Sequence, residues 1–518
     1  VVKFTPARIC QLFFLALFLL LFVQTEYRGR DEINAAVNAF FRLDPLVLAS
    51  YLLAAKSWSR LLLPALLMVV ATLLLGRFFC GWICPLGTIL DLVTVKIRKS
   101  SPVQALKGNT KYWLLLPLLV ASLFNLNLSG LFDPIAILLR AMTFLLYPLV
   151  GLAGREGWVA LYHAIGERRD TLAPAYRLIR DNLLPFRDTL YPLAFLSAVM
   201  LFGIIALERF ETRNWCRNLC PLGTLLGWLG RFSLFSRAPL KLCADCGQCR
   251  GLCPTSFEQG VLDKEACILC MECLQGCPHG RVSFRPSAGQ LACNGPLLPE
   301  RRVLLGGIAG GVLLALPARF RYPEQRSRLL RPPGVRSEDE FLKKCVRCGE
   351  CMKVCLKNAL YPAAYQAGLA GLYTPLVMPR LGYCEYNCTL CGQVCPTGAI
   401  PELPVTAKRR EVIGKAVFDK NHCLPFARKM NCIVCEEHCP IPEKAIRSRD
   451  VQVMGLDGRL VTVKEPYIVE EICNGCGICE NVCPLETKAG VEVYAVTNRN
   501  PLAAQPVGQE SNSSNPYP

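Results

Sequence analysis

Six times along the chain, four cysteines recur at or near the spacing Cys-x2-Cys-x2-Cys-x3-Cys, and this constrains the fold more than any other feature. The runs are Cys243, Cys246, Cys249 and Cys253; Cys267, Cys270, Cys273 and Cys277; Cys345, Cys348, Cys351 and Cys355; Cys384, Cys388, Cys391 and Cys395; Cys423, Cys432, Cys435 and Cys439; and Cys473, Cys476, Cys479 and Cys483. Two-residue gaps let a turning backbone aim successive sulfurs at one point, and a proline after the fourth cysteine diverts the chain. Thirty cysteines in a short secreted chain would suggest disulfides, but clustered runs in a chain of 518 residues have the spacing of metal thiolates. Structural zinc would instead use separate Cys-x2-Cys pairs. The expectation is six [4Fe–4S] clusters.

In the first two runs, three thiolates on one loop bind three corners of a cube and the fourth cysteine ligates the other cluster. Cys277 is then expected to complete the first set and Cys253 the second. The 384 and 423 runs widen their first gap, and Leu356 stands where proline follows the other fourth cysteines. Which of the last four runs are partners is open at this stage.

Hydrophobic residues make up 52% of the chain and its mean hydropathy is +0.31, too apolar for a wholly soluble protein. Apolar runs of spanning length cover 7–23 and 61–76, a third starts near Trp113, and a fourth covers 191–207. The segment from Arg77 to Lys111 carries six basic residues against Asp91 alone, which places that end of the bundle in the cytoplasm. The expected fold is an α-helical membrane bundle, a duplicated two-span module, with small α+β domains of bacterial-ferredoxin type holding several clusters. Its divisions are 1–235 for the four-span module, 236–297 for a cytoplasmic two-cluster domain, 298–320 for an anchor, 321–340 for a linker, 341–497 for a four-cluster domain, and 498–518 for a disordered tail. The anchor, "ERRVLLGGIAGG", has Arg301 and Arg302 before a short apolar run, like an export signal with Val303 in place of the usual phenylalanine. If it spans, all that follows is periplasmic; the alternative is a membrane-surface anchor with a cytoplasmic C-terminus.

The duplication shows in "RFFCGWICPLGTIL" (77–90) and "RNWCRNLCPLGTLL" (213–226), each preceded by an Asp-Pro segment, "RLDPLVLAS" or "LFDPIAILL". Two copies in parallel orientation imply a pseudo-two-fold axis along the membrane normal, which would bring Cys80 and Cys84 to Cys216 and Cys220. On a helix, positions i and i+4 share a face. Four thiols about one axis could hold a metal or a seventh cluster, or could simply be buried in a small-residue turn. Asp44 and Asp133 occupy matching positions opposite the cysteine turns. They are candidate proton acceptors for quinol oxidation, while Asp before Pro is equally an ordinary helix cap, the reading the pattern favours.

Of the four histidines, His163, His279, His422 and His438, none lies in an apolar run, and no Cys-x2-Cys-His occurs. Neither bis-histidine membrane haem nor covalent haem is expected. No dinucleotide fingerprint, Walker loop or nucleic-acid motif is present, and the formal charge of +18 overstates the basicity of a chain whose cysteines are thiolates on iron. Cys10, Cys293 and His279 read as bystanders.

Residues 1–290, with "CGWICPLGT" and "CRNLCPLGT", resemble the NapH-type membrane polyferredoxins and the membrane half of the NosR proteins. Residues 298–490, with "ERRVLLGGIAGG", "EDEFLKKCVRCGECMKVC" and "CGQVCPTGAI", resemble the NapG/MauM-type periplasmic ferredoxins. The resemblance implies a quinol dehydrogenase of the bacterial inner membrane. It would draw on the quinone pool, pass electrons to a periplasmic cytochrome or reductase, and work with other complex subunits. No flavin domain of the NosR kind is expected. Two other readings are a non-catalytic relay or anchoring subunit and a metal-reducing assembly accessory.

Overall fold

The computed structural model describes residues 5–97, 110–237, 253–286, 299–319 and 328–496, apart from breaks at 30, 34, 166–168, 186–188, 256, 259–260, 263, 279–281 and 455–458. Cys243, Cys246, Cys249, Cys293, His279 and the 498–518 tail lie outside the described residues.

The N-terminal half is a helical bundle built from broken helices. Helix α1 (Pro6–Gln24) leads to α2 (Asn38–Arg42) and α3 (Pro45–Ala55), then α4 (Leu63–Leu75), α5 (Phe78–Trp82) and α6 (Pro85–Ile97). The second copy runs α7 (Tyr112–Leu123), α8 (Ser129–Phe132), α9 (Pro134–Ala141), a π-turn at Met142–Leu146, α10 (Tyr147–Ile165), α11 (Arg169–Asn182), α12 (Ala194–Leu207), α13 (Asn214–Asn218) and α14 (Pro221–Gly230). Each short helix is separated by one or two residues from a proline that opens the next, because proline excludes the α conformation from the residue before it and is well placed at the first helical position.

Only Pro6–Gln24 and the continuous Pro134–Ala164 are long and apolar enough to cross a membrane, among the described residues. The expected spans at 61–76, from Trp113 and at 191–207 emerge as helices of 10–17 residues. One is cut at Gly76, whose φ of 83° ends α4. The bundle has a hydrophobic core and also carries apolar side chains on its outward face. On α4 the outward residues are Leu63, Leu66, Leu67, Val70 and Leu74, whereas Thr72 is buried, as are Ser50, Asn127 and Ser129 elsewhere.

The cluster-bearing regions cap opposite ends of this bundle. Cys253–Pro286, with α15 (Glu272–Gln275), sits on the cysteine-turn end: Trp82 Nε1 donates to Leu269 O (3.0 Å), Arg8 pairs with Glu272 (2.8 Å), and Glu265 binds Lys111 (2.6 Å) and Arg231. The domain from Leu329 sits on the other end, where Asn38 Nδ2 donates to Val394 O (3.1 Å) and Lys353 Nζ to Thr25 O (2.8 Å). It shares a continuous core with the bundle, in which Leu118, Phe144 and Tyr191 pack with Phe341, Tyr361 and Tyr373. Between these ends runs α16 (Arg301–Arg319), parallel to α7 and close against it: a Cβ on Gly307 would meet Leu116 at 2.6 Å and one on Gly311 would meet Val120 at 2.5 Å. Glycine at that spacing lets two backbones approach.

Antiparallel two-stranded ladders bracket the cysteine runs. Phe235–Arg237 pairs with Phe284–Pro286 around the first two runs, Lys415–Phe418 pairs with Val491–Tyr494 around the last two, and Leu360–Pro362 pairs with Pro375–Val377 between the other two. A longer hairpin, Ile446–Met454 with Leu460–Ile468, lies between the 439 and 473 cysteines.

Candidate metal centres

The thiols group as crossed sets. Cys395 lies beside Cys345, Cys348 and Cys351, while Cys355 lies with Cys384, Cys388 and Cys391. Likewise Cys483 faces Cys423, Cys432 and Cys435, and Cys439 joins Cys473 and Cys476, with Cys479 beside both of these. Cys253 is beside Cys267 and Cys270. In the two pairs of runs from 345 to 483 each fourth cysteine thus crosses to its neighbour's set, and Cys253 does the same. The runs beginning at 345 and 384 are partners, and so are those beginning at 423 and 473.

The sets follow one another. The backbone N–H of Cys384 donates to Cys476 O (2.9 Å), joining the second set to the Cys439 set, and Cys435 Sγ reaches Cys479 O (3.9 Å), joining that set to the last. The surroundings fit anionic clusters. Cys423, Cys432, Cys435 and Cys483 all line one shared cleft. Around the set of Cys345 and Cys348 stand Arg140, Arg331 and Arg347, each about 1% exposed. Arg347 donates only to the carbonyls of Leu372 (3.1 Å) and Ala370 (2.7 Å); burial pushes its guanidinium down to about 10, and burial likewise pushes the Lys353 ammonium down to about 8. A cluster thiolate set supplies the negative charge that Arg347, which pairs with no carboxylate among the described residues, lacks. Bound [4Fe–4S] clusters take up and release one electron each.

Both cluster-bearing regions dock on the bundle in the same way. The residue after the first cysteine of a run, Ile268 or Val346, lays its carbonyl on a glycine three positions before a break: Gly81 before Cys84, and Gly130 before Asp133. A Cβ would stand 2.1 Å from Ile268 O at Gly81 and 1.7 Å from Val346 O at Gly130.

The cysteine turns differ from the expected arrangement on one helix. Cys80 is in α5 and Cys216 in α13, but Cys84 and Cys220 occupy the extended position before Pro85 and Pro221; at Cys220 the torsions are −62° and 115°. All four thiols are buried and are electrostatic neighbours. The repeat symmetry is explicit in two residues that spacing alone did not single out. Arg77 Nη2 donates to Cys216 O (2.5 Å), and its counterpart Arg213 donates through Nη1 to Cys80 O (2.7 Å). Their equal distance ahead of each Cys pair was the available signal. Arg213 is also gripped by Asp91 (2.7 and 2.6 Å), whereas Arg77 turns Nε to Cys80 Sγ (3.4 Å) and, among the described residues, pairs with no carboxylate.

Asp44 and Asp133 occupy the equivalent cap positions of the other two breaks. Asp44 Oδ1 accepts from the N–H of Leu46 (2.7 Å) and Val47 (3.4 Å), and Asp133 Oδ2 accepts from Ala136 (2.8 Å). Both are fully buried, and the two carboxyls face each other across the repeat axis.

Crossed thiolate sets linked in series define an iron–sulfur electron-transfer protein. The chain belongs to the family of ferredoxin-type proteins that includes MauM and NapG. It is 36% identical over 200 residues to the methylamine utilization ferredoxin-type protein MauM of Methylorubrum extorquens, covering 37% of this chain and 87% of that one. It is 34% identical over 195 residues to the ferredoxin-type protein NapG of Escherichia coli, covering 36% of this chain and 78% of that one. A family model described as a 4Fe-4S binding domain matches 58–104 and again 192–239, each match enclosing one Cys-x3-Cys-Pro turn, and another of the same description matches 466–487. No solved structure matches the chain.

Proposed function

We propose that the chain is a quinol dehydrogenase of the inner membrane, a NapH-type membrane half and a NapG/MauM-type ferredoxin in one polypeptide, passing electrons from the quinol pool to a periplasmic redox partner. The observation that carries this reading is that two cluster-bearing regions sit at opposite ends of one bundle whose outward face is apolar. The basic segment Arg77–Lys111 puts the cysteine-turn end in the cytoplasm. Helix α16, parallel to α7, then delivers the last four clusters to the periplasmic side.

The four thiols of Cys80, Cys84, Cys216 and Cys220 are read here as a further metal centre. Support comes from the 4Fe-4S model matched at each turn and from Arg77, a buried cation with a thiol as its only side-chain partner among the described residues. From Arg60 to Leu75 the helix rises about 24 Å, and the breaks at Cys84 and Asp133 project inward from its two ends. A centre at the turns would therefore shorten the gap between the two cluster groups. Asp44 and Asp133 act in this reading as caps that hold the second pair of breaks.

The test is anaerobic reduction of the detergent-purified holoprotein by a reduced menaquinone or ubiquinone analogue, followed by visible bleaching and EPR. Rapid bleaching is the expected result. Reduction by dithionite but not by quinol would overturn the dehydrogenase reading in favour of a relay subunit.

A further inference from the structure

An open cleft at the seam between the bundle and the C-terminal domain has Cys355, a member of the second thiol set, in its wall. Its other side is the π-turn Met142–Leu146, which sets Thr143 on the lining. Thr143 is 4% exposed and its hydroxyl has no hydrogen-bond partner among the described residues. A buried hydroxyl left unpaired is unfavourable, and π-bulges concentrate at functional sites. Across the cleft Glu26, whose side chain is 10% exposed, accepts from Tyr147 Oη (2.7 Å) and stands 3.9 Å from Lys353 Nζ. Lys353 in turn lies over the Phe22 and Tyr147 rings at 4.3 and 4.7 Å. Tyr191 closes the end, donating to Met352 O (3.2 Å). Leu149 and Val150, which follow the lining residue Pro148 in sequence, present apolar surface.

We infer that this cleft is the quinol headgroup site. The inference rests on the proposed quinol dehydrogenase function and gives it a location. An aromatic diol needs an apolar approach, flat walls, a base at one hydroxyl and a hydrogen-bonding group at the other. The exposed leucine and valine, the tyrosine rings, Glu26 and Thr143 meet those needs in turn. Oxidation to the quinone breaks two O–H bonds and releases two electrons and two protons. Two oxidised clusters, one electron each, are the acceptors. The Glu26 carboxylate accepts each proton in succession and returns it to water at the exposed rim. Lys353 and Tyr147 hold that carboxylate toward the ring.

The test uses the detergent-solubilised holoprotein and 2-heptyl-4-hydroxyquinoline N-oxide, a quinol analogue whose fluorescence is quenched on binding, so that binding is read without turnover. Thr143→Val is expected to weaken binding about tenfold, the loss of one hydrogen bond. Glu26→Gln is expected to slow quinol-driven bleaching about 100-fold, the lower range of general-base effects, and to leave dithionite reduction unchanged. A photoreactive azidoquinone is expected to label the segments around Glu26, Thr143 or Cys355. Labelling elsewhere, or wild-type binding and bleaching in both variants, would overturn this location while leaving quinol oxidation intact. Failure of the unmutated protein to bind the analogue or to bleach with quinol would overturn both.

Discussion

Replacing Gly130 by alanine tests how the cluster-bearing domain is seated. A Cβ at this position would stand 1.7 Å from the carbonyl oxygen of Val346, and ordinary contact begins near 3.4 Å. One side must therefore withdraw by about 1.7 Å, a gap over which dispersion contacts are largely lost. Neither side can yield cheaply. Gly130 lies in the four-residue helix α8, and Val346, 2% exposed, lies between the cluster ligands Cys345 and Cys348. Overpacking of this kind costs about 1–3 kcal/mol. The control is Gly203→Ala in α12, where an added Cβ meets nothing within 4 Å. There the gain in helix propensity is at most about 1 kcal/mol. The assay is thermal loss of cluster absorbance in detergent, with iron content measured beforehand. Gly130→Ala is expected to lose its chromophore several degrees below the wild type, and Gly203→Ala at or slightly above it. Equal midpoints for the two variants would refute the tight seat, and with it the argument that bundle and ferredoxin domain form one body.

Cys395→Ser is expected to abolish the EPR signal of the cluster shared with Cys345, Cys348 and Cys351 while sparing that of Cys384, Cys388 and Cys391; Cys355→Ser should do the reverse. Loss of the same signal in both variants would refute the crossed pairing. The double variant Cys84→Ser, Cys220→Ser should lower iron content by one centre if the turns hold a cluster, and unchanged iron would make them structural thiols. Asp91→Asn removes the carboxylate that grips Arg213 and leaves a buried cation held by carbonyls. Because Asp91 is 34% exposed and Glu208 lies close to Arg213, a loss of about 1–3 kcal/mol is expected, read as a lower thermal midpoint, whereas Asp450→Asn on the exposed hairpin should change it by less than about 1 kcal/mol.

The local chemistry was written in the sequence. Cys-x2-Cys-x2-Cys-x3-Cys determined which thiols gather together, because sulfurs on one loop converge on a common centre. The matched turns at 80–84 and 216–220 determined that the bundle is a duplication. Asp44 and Asp133 were legible as helix caps from the proline that follows each. Tertiary structure alone decided which runs share clusters, since partner thiols come from loops tens of residues apart and nothing local encodes their meeting. It alone decided that Ile268 and Val346 find glycines at opposite ends of the bundle. It also decided that Arg77 and Arg213 exchange places across the repeat axis. The apolar runs misled in length because hydropathy records what a segment can bury, whereas Gly76 and the prolines after Cys84, Asp133 and Cys220 determine where a helix must stop. The cleft containing Glu26, Thr143 and Lys353 was beyond sequence reasoning for the same reason as the pairing. Its walls come from four separate segments, each ordinary by itself, and only their packing sets a buried hydroxyl in the same cleft as Cys355.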